Sequence, residues 1–179
     1  MNILPREING VGEGFPLIRN WTLRSGSFFG EREIASAAKV CVIGQTIVEK
    51  LFQTTDPIGE TIRIRDVPFT VVGVLDPKGA SLDGQDQDSI VLAPYTTIKK
   101  RILGSSRDNV DAIMVAVRST DRMDDAEIEV KMLLHERHAI RPGALDDFSV
   151  FNTTEIANIL TIVTGTLTAS CWPRSPACR

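Results

Sequence analysis

The chain has 179 residues, 42% of them hydrophobic and 24% charged, with a net charge of −3. That size fits one domain or two small subdomains, and the balance is that of a folded protein. The basic residues are scattered without a phosphate-binding patch, so nucleic acid is excluded as a partner.

Met1 is followed by neither a basic segment nor a long apolar run, so no signal peptide is expected. No stretch reaches the roughly 18 apolar residues of a membrane helix, and taken alone the chain reads as soluble. Residues 1–30 are rich in Gly and lack periodicity. Glu31 to Ala38 favour a short helix. Lys39 to Ile43 read as a strand that Gly44 ends, and Gln45 to Phe52 as a helix with Ile47, Val48, Leu51 and Phe52 at helical spacing. Asp56-Pro57-Ile58-Gly59 is a turn.

A hairpin is expected next. Thr61 to Arg65 alternates polar and apolar, Asp66-Val67-Pro68 turns the chain, and a nearly continuous apolar strand runs to Leu75. Ile62, Ile64, Val72 and Val74 are expected in its core. Pro77 to Asp88 reads as a loop. Ser89 to Ala93 reads as a strand and Tyr95 to Leu103 as a helix that Gly104 ends.

The pattern predicts a strand over Asp111–Arg118, a helix over Asp121–His138 and a strand over Asp147–Phe151. Met123, Ala126, Val130, Leu133 and Leu134 mark the helix's buried face, and Arg141-Pro142-Gly143 breaks it. The long connection makes the two strands parallel, a βαβ crossover. Asn152, with Glu155 at the third helical position, caps a last helix.

No residue set carries catalysis. Cys41 lies in the apolar run Val40 to Ile43 and reads as a small buried hydrophobe. Cys171 and Cys178 complete neither a metal spacing nor a compact disulfide framework. His135 and His138 have a helical ligand spacing but no third ligand nearby in sequence, and Glu136-Arg137 between them read as a solvated face. Asp83, Asp86 and Asp88 share a Gly-containing loop but lack the EF-hand pattern and its distal Glu. Gly10-Val11-Gly12-Glu13-Gly14 is not expected to follow a strand and is not followed by Lys-Ser/Thr, so it is no phosphate loop. No cofactor, tightly bound metal or nucleotide hydrolysis is expected.

Four segments, in this order, carry a resemblance: Lys39–Thr46 (KVCVIGQT), Asp56–Gly59 (DPIG), Val67–Leu75 (VPFTVVGVL) and Gly84–Asp88 (GQDQD). Together they resemble the extracytoplasmic core domain of MacB-type ABC transporter permeases, over roughly Gly10 to Leu167. The resemblance implies an α+β fold. The core domain would span 1–152, with a strand-rich middle subdomain over about 20–108 and a porter-like βαβ half over 109–152. Ile18 to Trp21 and Ser25 to Phe29 would lead into the middle subdomain. A stalk helix over 153–168 would lead to a membrane span. The first porter half, which in the family follows the first membrane helix, is expected to be missing before residue 1, a departure from the family pattern.

The resemblance also implies a non-catalytic role in a permease at the inner membrane, on its periplasmic face. There the domain would transmit ATP-driven movement to the export of macrolides, peptides or other substrates. Its partners would be the ATPase and membrane segments of the parent, a periplasmic adaptor, an outer-membrane channel and a second permease copy. Gln85, Asp86, Gln87 and Asp88 would form a loop available for partner contact. The alternatives are a lipoprotein-releasing permease, a free-standing binding protein and an enzyme of another type.

Residues 169–179 break the helical pattern with Pro173 and Pro176. Codons chosen for Ser170 to Arg179, read two bases on, give Leu-Leu-Ala-Ser-Ile-Ala-Cys-Val-Ser, which is similar to the start of the family's second membrane helix. The tail is therefore expected to be an out-of-frame product.

Overall fold

A computed structural model describes residues 7–53, 56–81, 84–104, 110–140 and 145–152. The expected stalk helix and tail lie outside these residues. The chain divides into two compact units, Met1–Met114 and Val115–Arg179.

The first unit is built on a six-stranded mixed sheet. Its strands are β1 (Glu7–Val11), β2 (Leu23–Gly26), β3 (Val40–Ile43), β4 (Thr61–Ile64), β5 (Val67–Leu75) and β6 (Ile90–Pro94). The order is β1-β6-β3-β5-β2, with β4 also on β5. β1 runs parallel to β6 and β3 parallel to β5, whereas β6 is antiparallel to β3. β4 and β2 both lie antiparallel to β5, one against Val67–Thr70 and the other against Gly73–Leu75. The helices are α1 (Phe15–Ile18), α2 (Glu31–Ala35), α3 (Gln45–Leu51) and α4 (Tyr95–Thr97), the last continuing into a π-helical turn over Ile98–Leu103.

β3 and β6 are apolar at every position because both faces of the sheet are covered. Cys41, Ile43, Val91 and Ala93 join Ile62, Ile64, Phe69, Val71 and Val74, with Ile47, Val48, Leu51 and Phe52 from α3 and its end packed onto them. On the other face Val42, Ile90, Leu92 and Leu75 pack with Val11, Phe15, Trp21 and Phe29. β4 alternates because only Ile62 and Ile64 point inward.

The hairpin differs from expectation in its turn and in one core residue. Ile64 pairs with Val67 and Arg63 with Pro68, so the turn is Arg65-Asp66, both at positive φ (46° and 68°), and Pro68 is a strand residue. The two-residue turn sets Ile62 opposite Phe69, which puts Phe69 and Val71 on the buried face. Cys41 pairs with Val71 and Val42 with Gly73, so Val72 is an extra, bulged residue. Val72 is half-buried on the opposite face and Val74 returns to the expected core. At the bulge Gly73 leaves no room for a side chain: a Cβ would lie 2.7 Å from the Ser27 carbonyl oxygen.

β1, β2 and α1 arise in the Gly-rich opening that shows no periodicity. Their strands are short and mostly exposed or half-buried, so no repeating apolar signal marks them. The expected helix over Tyr95–Leu103 forms, in α then π geometry, and Gly104 ends it at φ 61°. The Thr97 hydroxyl donates to the Ala38 carbonyl at 2.8 Å, tying α4 to the chain after α2.

The second unit contains a 3-10 turn (Thr120–Arg122) and α5 (Met123–Arg137). The expected strands over Asp111–Arg118 and Asp147–Phe151 do not form, so neither does the parallel βαβ pair. Ile113 is 72% exposed and Phe151 80%. The reason is that a strand needs a ladder partner for its N–H and C=O groups, and none among the described residues supplies one. Met123, Ala126, Val130 and Leu134 are the half-buried side of α5, but Leu133 is 52% exposed, against expectation. The α+β class stands on the six-stranded sheet and its helices.

Candidate functional site

The loop between β5 and β6 is anchored by one carboxylate. Asp88 is only 6% exposed. Its Oδ1 accepts the Lys78 N–H and its Oδ2 the Gly79 N–H, both at 2.8 Å. Two backbone donors that would otherwise be orphaned are thus satisfied. Asp86 Oδ1 accepts the Asp88 N–H at 2.9 Å. Ala80 bridges to Asp86, the Gln87 N–H donates to the Gly79 carbonyl at 3.1 Å and the Ser81 N–H to the Gln85 carbonyl at 2.7 Å. Gly79 and Gly84, each at φ 75°, supply the left-handed backbone of this small hairpin.

Further contacts fix the loop to its surroundings. A side chain at Gly44 would collide with the Asp88 carbonyl, so glycine there lets the loop close onto the end of β3. Lys78 Nζ donates to the Arg19 carbonyl at 2.7 Å and lies 4.8 Å from the Trp21 ring centroid. Trp21 Nε1 donates to the Asp76 carbonyl at 2.8 Å, and the Thr22 hydroxyl to Asp76 Oδ2 at 2.6 Å.

The four residues singled out in the sequence therefore divide. Asp88 is inside, Gln87 is half-buried, and Gln85 and Asp86 are exposed at the tip. The loop thus has an anchored base and an exposed polar tip. Both Asp88 oxygens and one of Asp86 accept backbone N–H groups, and Asp83 lies outside the described residues.

The other sequence candidates are structural. Cys41 is fully buried and burial pushes its thiol up to about 12, so it is inert. The Gly10–Gly14 run does belong to a strand end, contrary to expectation, but a Cβ at Gly10 would lie 2.9 Å from Tyr95 Cα, so that glycine serves packing of β1 against α4. His135 and His138 meet Asp146 and Asp147, partners that sequence spacing did not reveal. The signal was present only as two adjacent acids after the Pro142-Gly143 break. Among the described residues, no three His, Cys, Asp or Glu side chains could hold a metal ion, and no helix is long and apolar enough to cross a membrane.

A family model, the MacB-like periplasmic core domain, matches residues 2–133. The chain is 37% identical to the macrolide export ATP-binding/permease protein MacB of Syntrophobacter fumaroxidans, over 89% of this chain and 29% of that protein. It is 40% identical to the pyoverdine export ATP-binding/permease protein PvdT of Pseudomonas savastanoi pv. phaseolicola, over 73% of this chain and 20% of that protein. The chain thus spans less than a third of the length of these curated relatives. The crystal structure of the periplasmic region of MacB from Actinobacillus actinomycetemcomitans is similar in fold, with a TM-score of 0.62 at 23% identity, covering 86% of this chain and 64% of that one.

Proposed function

This chain belongs to the MacB-like periplasmic core domain family, and from that membership we propose that it is a non-catalytic, extracytoplasmic part of an ABC exporter permease. In this reading ATP is hydrolysed in a cytoplasmic domain or subunit, and the chain passes the resulting movement to the export path. The family match over residues 2–133 carries the proposal. The architecture is in keeping with it. A sheet buried on both faces moves as one body, because close-packed interiors transmit displacement and do not absorb it.

The parent permease would work as a homodimer with a periplasmic adaptor and an outer-membrane channel. Gln85 and Asp86 would meet such a partner, since they are exposed on a loop fixed to the sheet by Asp88 and Gly44. The macrolide-exporting relatives favour macrolides as the substrate class, and the 40% identical pyoverdine exporter favours pyoverdine as the second.

A photo-crosslinking residue at position 85, in the permease carrying this domain, tests the contact in living cells. Crosslinks to a periplasmic protein that vanish on Asp86→Arg are expected. Crosslinks only to lipid or none at all, with the same residue at exposed Leu17 as control, would contradict the assignment of this loop.

A further inference from the structure

The helix α5 carries apolar side chains on two nearly opposite sides. Met123, Ala126, Val130 and Leu134 are half-buried. Ile128 and Met132, on the far side of the helix from them, are 58% and 65% exposed. These two line a surface hollow with Lys131 and His135. The four residues stand at i, i+3, i+4 and i+7. That is the spacing of the four-residue hole that a side chain of a facing helix fills in coiled-coil packing. Both polar walls are held in place within the chain: Lys131 Nζ lies 2.6 Å from Glu127, and His135 Nε2 lies 2.8 Å from Asp146.

We infer that this face of α5 docks on the same face of a second copy of the chain, with the two helices antiparallel and Ile128 of each copy seated in the hollow of the other. The charges select the occupant and the direction. The first half of α5 carries Asp124, Asp125, Glu127 and Glu129, and the second half carries Lys131 and Arg137 against one acid, Glu136. A parallel pair would set the four acids against their own counterparts. An antiparallel pair sets them against the basic half and opposes the two helix dipoles.

Helix geometry then fixes the neighbours. Ile128 faces Met132 of the other copy, so four apolar side chains leave water together. One turn further out Asp125 faces His135, and on the flank Arg122 faces Glu136. Glu129 meets its own counterpart across the two-fold axis, a like-charge contact that keeps the pair weak. One helix per copy also buries less than the roughly 1,200 Å² of a stable interface. The functional role of the contact rests on the homodimer proposed above: there the copies are already tethered, so a weak contact closes and opens as they move.

Sedimentation equilibrium of the full chain tests the pairing. A monomer–dimer equilibrium with Kd on the order of 0.1 mM is expected. Ile128→Asp, at an exposed position, is expected to raise Kd at least about tenfold with the circular dichroism unchanged. Glu136→Arg opposes two arginines and is expected to raise Kd about threefold, and Arg122→Glu/Glu136→Arg is expected to bring it back. Leu17→Asp, in the first unit, is the control and should leave Kd unchanged. A chain that stays monomeric at about 1 mM would overturn the pairing. So would binding to phosphatidylcholine vesicles without dimers, which would assign the face to a lipid surface. A dimer indifferent to Ile128→Asp, or a double variant no tighter than Glu136→Arg, would overturn it and leave the homodimer standing. The homodimer is read separately, by crosslinking the parent permease in its membrane, so either can fail alone.

Discussion

At the residue scale, Asp88 and Cys41 show how burial assigns a job. Asp88 looks in sequence like one of several loop acids, yet its carboxylate holds two N–H groups and Gly44 makes room for its backbone. Asp88→Ala leaves both donors without their partner and is expected to cost about 1–3 kcal/mol in urea unfolding. Asp88→Asn keeps one acceptor oxygen and should cost less. Cys41 is expected to ignore a thiol reagent in the native protein at pH 8 and to react in denaturant, because burial holds its proton. Prompt labelling in the native state would contradict the packing. Val71 and Val72 make a further pair: an unpaired charge at fully buried Val71 should cost several kcal/mol, and the same change at half-buried Val72 distinctly less.

At the scale of elements, β3, α3, the β4–β5 hairpin and β6 were legible because each has a period or an apolar run bounded by glycine or turn residues. What sequence could not fix was the hairpin's register. Asp66-Val67-Pro68 looks like a turn because Pro commonly enters one, but Arg65-Asp66 closes it and Pro68 sits in the strand. One residue of slip moves the buried set from Val72 to Phe69 and Val71, and only the bulge restores Val74. Since Arg65 and Asp66 both hold positive φ, Arg65→Asn with Asp66→Gly should raise stability, because Asn and Gly hold the left-handed conformation at less cost than Arg and Asp. A lower melting temperature in that variant would refute the turn. β1 and β2 escaped notice because short, half-exposed strands next to glycines carry no period, and the Gln85–Asp88 tip was readable only as a polar loop. Which of its acids was buried depends on Gly44, more than 40 positions earlier in sequence.

For the whole molecule, the sheet-bearing unit and the α5 unit differ in how far sequence pattern became structure. In the first, long-range pairing supplies every central strand with two neighbours. In the second, Asp111–Arg118 has the composition of a strand and no ladder, so apolar alternation alone did not decide its state. The family was legible in the order of four short segments, whereas the internal wiring of the β5–β6 loop was not. The proposed role is to couple ATP hydrolysis elsewhere in an exporter to export. The most direct measurement grafts residues 7–104 in place of the matching sheet of a MacB-type macrolide exporter and follows macrolide resistance and ATP hydrolysis together. The graft is expected to keep both, and Gln85→Arg/Asp86→Arg within it to lower resistance at least tenfold while hydrolysis continues. Full resistance in the folded double variant, or resistance lost only in proportion to hydrolysis, would contradict the account.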